Sequence, residues 1–508
     1  MNTEEKTGIR KVLRIRRAMT VAVAIVVVGA TAMLLRAYFT SEDDHENTNT
    51  YTKNVPTIPC ASPVPITVTP NPLEGFLWEE ADYPYIAKIP KEEDYLRSDG
   101  SLDQVAYLKD YQDWEKSDYY FRKDIKYDAV TKAEKGLAMF SRASLPILLE
   151  GEAGMNRTCS PLNIYLALGM LAQVTDGSTR SQVLRILGTD DVKMLREMAD
   201  AAWKIAYKND GQVSCLLAGS LWLRESEKII PYEPNPLVLL RDCYHASTFR
   251  GRMGTEEYNQ ALRTWINEQT GGLLKDPAEK LGFSEETRLA LATTVYFRAR
   301  WSSEFAKSAT DLQVFHTSAG DKETEFMHGT AKRRYYDGDT FRAVTYDFDG
   351  NHAGDMVFFL PDEGVDVNEL LTDVQVLSLL GSGLNIPQSK MVAVQSSVPK
   401  FDVLSDNLDL TQCMKDLGIK EVFEPGVADF SALLAEPVGA YLKGAMHSAR
   451  VKIDEEGVEA AAYTVLTAFG AAPSEPDEIV DFVLDRPFLF AIRTENGMPL
   501  FVGVVENP

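Results

Sequence analysis

The order of hydrophobic patterns along this chain predicts an α+β fold. Helical runs come first, strand-like runs dominate afterwards, and no internal repeat joins them. Over a stretch of about 380 residues, this combination describes one large domain built on an antiparallel or mixed sheet.

The chain opens with a basic end, residues 1–17. The first 40 residues carry Lys6, Arg10, Lys11, Arg14, Arg16, Arg17 and Arg36 against only Glu4 and Glu5, in a protein whose net charge is −23. Ala18–Leu35 is free of charge and, at ~1.5 Å per helical residue, would span ~27 Å, the hydrocarbon thickness of a bilayer. The basic flank then stays inside and the body is exported. Ala30-Thr31-Ala32 fits a small-x-small cleavage site, yet the apolar run continues through Met33-Leu34-Leu35. A retained single-pass membrane anchor with an extracellular body is therefore favoured over a cleaved signal and a secreted product. Residues 36–72, polar and rich in Asp, Asn, Thr and Pro, are expected to form an extended stalk that carries Cys60. Residues 73–127 are dense in Tyr, Trp and acidic side chains. They read as a helical appendix packed on the body, with a partner- or carbohydrate-binding surface as the alternative.

Residues 128–508 form the globular unit. Apolar residues spaced at three and four predict helices over Ala133–Leu145, Leu162–Ala172, Thr179–Leu187, Asp191–Ala206 and Glu256–Gln269. Short β-rich runs punctuated by Gly, Asn or Pro predict strands at Leu289–Phe297, Phe341–Tyr346, Asp355–Leu360, Met391–Val398, Pro487–Arg493 and Leu500–Val505.

Composition excludes several functions. An excess of 75 acidic over 52 basic residues argues against a nucleic-acid partner, because phosphate recognition needs a basic footprint. Five cysteines without a Cys-x-x-Cys pair suggest neither a disulfide scaffold nor a redox or metal site. Cys243 and His245 could supply two ligands, but no partner cluster accompanies them, so no metal and no cofactor is expected. There is no Gly-x-Ser-x-Gly elbow, His-Glu-x-x-His helix, Walker loop or dinucleotide fingerprint, so the chain does not read as an enzyme. Glu455 and Glu456, adjacent on a strand, point to opposite faces and cannot flank one substrate atom; a solvated strand end is the simpler account.

One segment resists an ordinary reading. After Val451 come an acidic turn, a run of small residues and then further strands. Val458, Ala460, Ala462, Thr464, Leu466 and Ala468 would share one face of a strand, small or apolar and uncharged. Glu459, Ala461, Tyr463, Val465 and Thr467 take the other. Such a strand could enter a sheet. An Ala-rich helix over Val458–Leu466 fits local propensity equally well. Ala471-Ala472-Pro473 and Ser474–Glu478 read as an exposed, cleavable turn.

Several stretches resemble the serpin family (serine protease inhibitors), in order, from about residue 128 to 508. They are the Ser-Pro helix and Gly-x-Thr segment within Cys159–Gly188, Ile266–Asp276, Thr293–Phe305, Ser397–Phe423 and Phe482–Ile492. Ile453–Thr464 is similar to the hinge of inhibitory members. The resemblance implies three β-sheets, about nine helices and an exposed reactive-centre loop that a target serine protease attacks. The cleaved loop then inserts as a new central strand of the main sheet, dragging the acyl-enzyme with it, the strand addition that serpins exemplify. Two features of the sequence agree with insertion: about 12 residues would span ~40 Å without burying a charge, and no proline falls between Glu456 and Ala472.

By the family's counting, the hinge comprises Glu455, Glu456, Gly457, Val458, Glu459, Ala460, Ala461, Ala462, Tyr463 and Thr464, and the reactive bond joins Ala471 to Ala472 within about one residue. A small residue there suits elastase-like or subtilisin-like proteases, Phe469 and Gly470 contribute to specificity, and Phe469 leaves a chymotrypsin-like target open. Trp301 matches the tryptophan at the top of the main sheet where insertion begins, and Ser160 and His447 match the polar cluster beneath it. Thr293 and Asn163 stand where members usually have asparagine and serine, so that cluster is expected to be rewired. The bait side after the bond is about five residues longer than in many members. Tyr463, where many inhibitory members have a small residue, is the argument for the alternative, a non-inhibitory surface binding protein. The expected partners are a target serine protease and, through residues 18–35, the membrane. Basic residues between Lys193 and Lys208 are interspersed with acidic ones, so no heparin site is expected. The protein is expected to act as a monomer.

Overall fold

The computed structural model describes residues 73–225, 232–381, 389–435, 439–458 and 478–508. Two sheets dominate. The first contains eight strands, in the order β1 (Leu77–Glu79), β5 (Ala246–Gly251), β4 (Ser214–Arg224), β6 (Leu289–Arg300), β14 (Gly457–Val458), β13 (Met446–Ile453) and β12 (Phe401–Asp409), with β3 (Lys208–Asn209) paired to β4 off this path. Only β4 and β5 run parallel here. The second contains nine: β15 (Ile479–Val483), β11 (Lys390–Pro399), β8 (Gly320–Asp337), β9 (Phe341–Asp347), β10 (Asp355–Pro361), β16 (Phe488–Arg493), β17 (Pro499–Val505) and β2 (Arg157–Cys159), with β7 (Asp311–Thr317) on β8.

Two hydrogen-bonded sheets among the described residues, where three were expected, reflect the 18-residue length of β8. Its register with β11 covers Phe326–Tyr335 and its register with β9 covers Arg334–Asp337. Two groups of strands are thus fused into one ladder through Arg334 and Tyr335.

Ten α-helices are present among the described residues: α1 (Gln104–Arg122), α2 (Tyr127–Leu148), α3 (Pro161–Val174), α4 (Gly177–Ile186), α5 (Val192–Ala206), α6 (Pro234–Tyr244), α7 (Glu256–Gln269), α8 (Lys275–Glu279), α9 (Val374–Leu380) and α10 (Thr411–Asp416). The five helices expected from periodicity are α2 to α5 and α7, and the six expected strands are β6, β9, β10, β11, β16 and β17. Their ends follow local chemistry. Ser160 caps α3 by accepting from Asn163 N, with Pro161 at the first helical position, where its missing N–H costs nothing. Thr255 caps α7 in the same way, through Tyr258 N.

The alternation of β4 distributes two cores. Leu217, Leu221 and Leu223 face the larger one with α3, whereas Ala218 and Trp222 face a second one with Tyr258, Leu262, Trp265 and Ile266 of α7. Helices α3 and α7 therefore sandwich the eight-stranded sheet. Helix α3 is apolar nearly all round, as a helix buried on every side must be. Residues 73–127 pack on this body through α1 and also supply β1, the sheet's edge strand.

Candidate functional site

Strands β6 and β13 are neighbours in the sheet but are not paired with each other; β14 alone stands between them. It is two residues long. Gly457 pairs with Arg300, and Val458 pairs with Ala299 on one side and Ile453 on the other. Below it, among the described residues, no strand separates Leu289–Arg298 from Met446–Lys452. Ten residues of β6 at ~3.3 Å each make this a slot of ~33 Å, the length of a central strand. Its lower part holds a cavity of about 450 Å³ lined by Ile164 and Leu168 of α3, Thr293, His447, and Leu262 and Ile266 of α7. A chain entering here would lie between apolar faces, so a charged inward side chain would be costly.

The head of the slot is pinned by backbone and charge together. Trp301 N donates to Glu456 O at 3.0 Å, Phe305 N to Glu455 O at 3.0 Å, and Trp301 Nε1 to Asp454 O at 2.9 Å. The Asp454 carboxylate accepts from Glu456 N and Gly457 N, closing an Asx-type turn. Burial pushes the Asp454 carboxyl up, opposed by those two N–H groups.

Glu455 and Glu456 are not the solvated strand end that adjacency on a strand suggested. They are 6% and 8% exposed. Glu455 is held by Lys400 Nζ at 2.7 Å and Thr310 Oγ1 at 2.8 Å, and Glu456 by Lys307 Nζ at 2.6 Å. Burial alone would raise the Glu455 carboxyl, but the Lys400 ammonium and Thr310 hydroxyl outweigh it and keep it below its usual range. Nothing local in sequence links these partners, which lie 55 to 149 residues away from the glutamates.

The foot of the slot contains the other candidate residues. Ser160 N donates to His447 Nε2 at 3.0 Å, and Asn163 Nδ2 to the carbonyl of Thr293 at 3.3 Å. Helix α3 therefore touches both walls, β13 through Ser160 and β6 through Asn163. Asn163 thus reaches the β6 backbone at Thr293 and not its side chain. Burial pushes the His447 imidazole down to about 4, which keeps it neutral and able to accept from Ser160 N.

The remaining hinge residues Glu459–Thr464, together with Phe469, Gly470, Ala471 and Ala472, lie in 459–477, outside the described residues. So do Ala18–Leu35, the stalk and Cys60. Among the described residues no helix is long and apolar enough to cross a membrane. The chain is described again from Glu478, paired to Lys390 at 2.6 Å, where β15 runs parallel to β11. Between Lys193 and Lys208, Lys204 is paired to Asp200 and Lys208 is buried.

The family description "Serpin (serine protease inhibitor)" matches residues 137–508. Serpin-Z1C of Triticum aestivum is 27% identical over 372 residues, covering 70% of this chain and 91% of that protein. An uncharacterized serpin-like protein of Thermococcus kodakarensis is 28% identical over 399 residues, covering 75% and 88%. In fold, the chain is similar to the thermophilic serpin tengpin in its native state, with a TM-score of 0.65 and 24% identity over 76% of this chain and 95% of that one. It is similar also to Arabidopsis AtSerpin1 in its native stressed conformation, with a TM-score of 0.64 and 22% identity over 75% and 99%. With a strand-sized slot headed by a two-residue strand, and a family match over nearly three quarters of its length, this chain belongs to the serpin family of serine protease inhibitors.

Proposed function

We propose that the protein is a suicide-substrate inhibitor of an elastase-like or subtilisin-like serine protease, tethered to a membrane by Ala18–Leu35 with its serpin domain outside. The protease serine Oγ attacks the Ala471 carbonyl, the Ala471–Ala472 bond breaks, and the Ala472 amine leaves with a proton. An ester then joins Ala471 to the enzyme. Residues 459–471 follow Val458 into the slot as a full strand, carrying the acyl-enzyme with them. The observation that carries this reading is β14, a strand of two residues at the head of a slot that no other described strand occupies. The uncharged face of Val458, Ala460, Ala462 and Thr464 matches the apolar lining of that slot.

Incubation with pancreatic elastase or subtilisin tests it. A covalent complex that survives SDS, with the bond cut at Ala471–Ala472 by mass spectrometry of the released fragment, is the expected result. Clean cleavage with full residual protease activity would overturn it and point to the non-inhibitory surface binding protein that Tyr463 favours. For the tether, the expected result is that the protein fractionates with membranes and that deleting residues 1–35 releases it; recovery of a product beginning near residue 33 identifies a cleaved signal instead.

A further inference from the structure

The cavity at the foot of the slot passes through the plane of the eight-stranded sheet. Ile164 and Leu168 of α3 wall it on one face of the sheet, and Leu262 and Ile266 of α7 wall it on the other. Its volume of about 450 Å³ falls in the range of small-molecule sites, ~300–1,000 Å³. A mostly apolar space of that size is not ordinary core packing, in which voids rarely exceed a water molecule.

Among the lining side chains, His447 presents a hydrogen-bond donor. It is 7% exposed, and its Nε2 accepts from Ser160 N at 3.0 Å, so the proton of the neutral ring resides on Nδ1. That Nδ1–H has no hydrogen-bond partner among the described residues, yet protein does not enclose it: it opens onto the cavity. Across the slot, on β6, the Thr294 hydroxyl is also buried and has no partner among the described residues. The charged side chains of the lining are Glu286 against Arg288 and Lys443. They are of both signs and belong to the end where β6 and β13 begin, so the interior offers no cation to an anionic group, while it does offer His447 to a neutral oxygen.

We propose that this cavity binds a neutral, largely apolar small molecule with one carbonyl or hydroxyl oxygen, a medium-chain ketone or alcohol in chemical class, whose oxygen accepts from His447 Nδ1–H while its chain lies between α3 and α7. Such a molecule and the cleaved bait loop compete for the space between β6 and β13. That competition rests on the inhibitory reading; binding to the uncleaved chain does not.

Isothermal titration of the full, uncleaved chain with 2-nonanone tests the site. Saturable one-to-one binding is expected. Leu262→Trp, which fills the cavity from α7, and Leu168→Phe, which fills it from α3, should each weaken binding about tenfold or more. Nonanoate, of the same length but charged, should also bind about tenfold less tightly or worse, because its carboxylate would be buried without a cation. No binding up to about 1 mM, an affinity unchanged in both variants, or equal affinity for nonanoate overturns the proposal. Should the variants fail to fold, NMR of the wild-type chain still decides: the His447 Nδ1–H resonance must shift as 2-nonanone saturates, and an unmoved resonance overturns the site. Elastase cleavage separates this claim from the inhibitory reading. In a cleaved chain whose melting temperature has risen, binding of 2-nonanone should be lost, and retained binding there overturns the site while the inhibitory reading stands. An unaltered melting temperature fails the inhibitory reading instead, and the site is then decided by the uncleaved chain.

Discussion

At the scale of single residues, the head and foot of the slot depend on groups whose environment admits little else. A β-carbon placed on Gly457 would sit 2.1 Å from the carbonyl oxygen of Ala299, a backbone atom that cannot swing aside. Gly457→Ala should therefore expel β14 from its place between β6 and β13, at a cost of roughly 2–3 kcal/mol read by urea unfolding. Accelerated tryptic cleavage at Lys452 is the local sign, and an unchanged midpoint and cleavage rate would show that the stub is not held as described. His447 sets a pH dependence. Its folded-state value of about 4 lies below the ordinary 6.5, so the folded protein favours the neutral ring. That contribution is whole above pH 6.5 and is lost as pH falls from there towards 4, at ~1.4 kcal/mol per unit, roughly 3 kcal/mol in all. In His447→Gln, which can still accept from Ser160 N, the loss between pH 6.5 and 4 should shrink by that amount in denaturant titrations. Equal slopes for both proteins would remove His447 from the acid response. The sequence exposed these residues unequally. Ser160 and His447 were named from motifs, but Lys400, Thr310 and Lys307 were not, because a buried carboxylate recruits its partners through space and leaves no mark at fixed spacing.

Among the elements, the relation between β6, β13 and β14 controls what the sheet can accept. Val458 is 3% exposed and faces Ala299 and Ile453, so the position that begins the uncharged face is already inside the sheet. Val458→Arg would place a guanidinium in that interior and should turn an inhibitor into a substrate, raising the stoichiometry of inhibition about tenfold or more. An unchanged stoichiometry would refute this register. Breaking the link that holds the head acts in the opposite sense. Lys400→Ala leaves Glu455, 6% exposed, with Thr310 as its remaining partner, and should lower stability by about 2–3 kcal/mol in urea; an effect under about 0.5 kcal/mol would mean that the pair is not held as described. Five of the ten described helices were legible because a 3.6-residue apolar period survives in sequence, and the bounds expected for α7, Glu256–Gln269, are those observed. Strands β4, β5 and β12 were not singled out in sequence, and of β13 only the end from Val451 was. β4 is buried on both faces between α3 and α7, so it lacks the alternation that marks a half-exposed strand.

For the whole molecule, the described strands leave room for one more between β6 and β13. Filling it should add a ladder of backbone hydrogen bonds on both sides, so cleavage of the bait loop should raise the melting temperature by some tens of degrees, measured by scanning calorimetry before and after limited elastase treatment. An unaltered transition would indicate that the loop stays outside the sheet. The four described cysteines are free, and three of them are buried, so no cross-link among them restrains such an opening. By itself the sequence determined the fold class, five of the ten described helices and the family, because periodicity and ordered motifs are local properties of a chain. It also marked Val458 and the small residues beyond it as able to enter a sheet. The tertiary structure alone decided that β6 and β13 stand apart with a cavity between them, that Glu455 and Glu456 are buried ion-pair partners, and that residues 73–79 edge the main sheet. Each of these depends on which distant segments meet. A strand's neighbours, unlike its pleat, are chosen by long-range packing that no window of sequence contains.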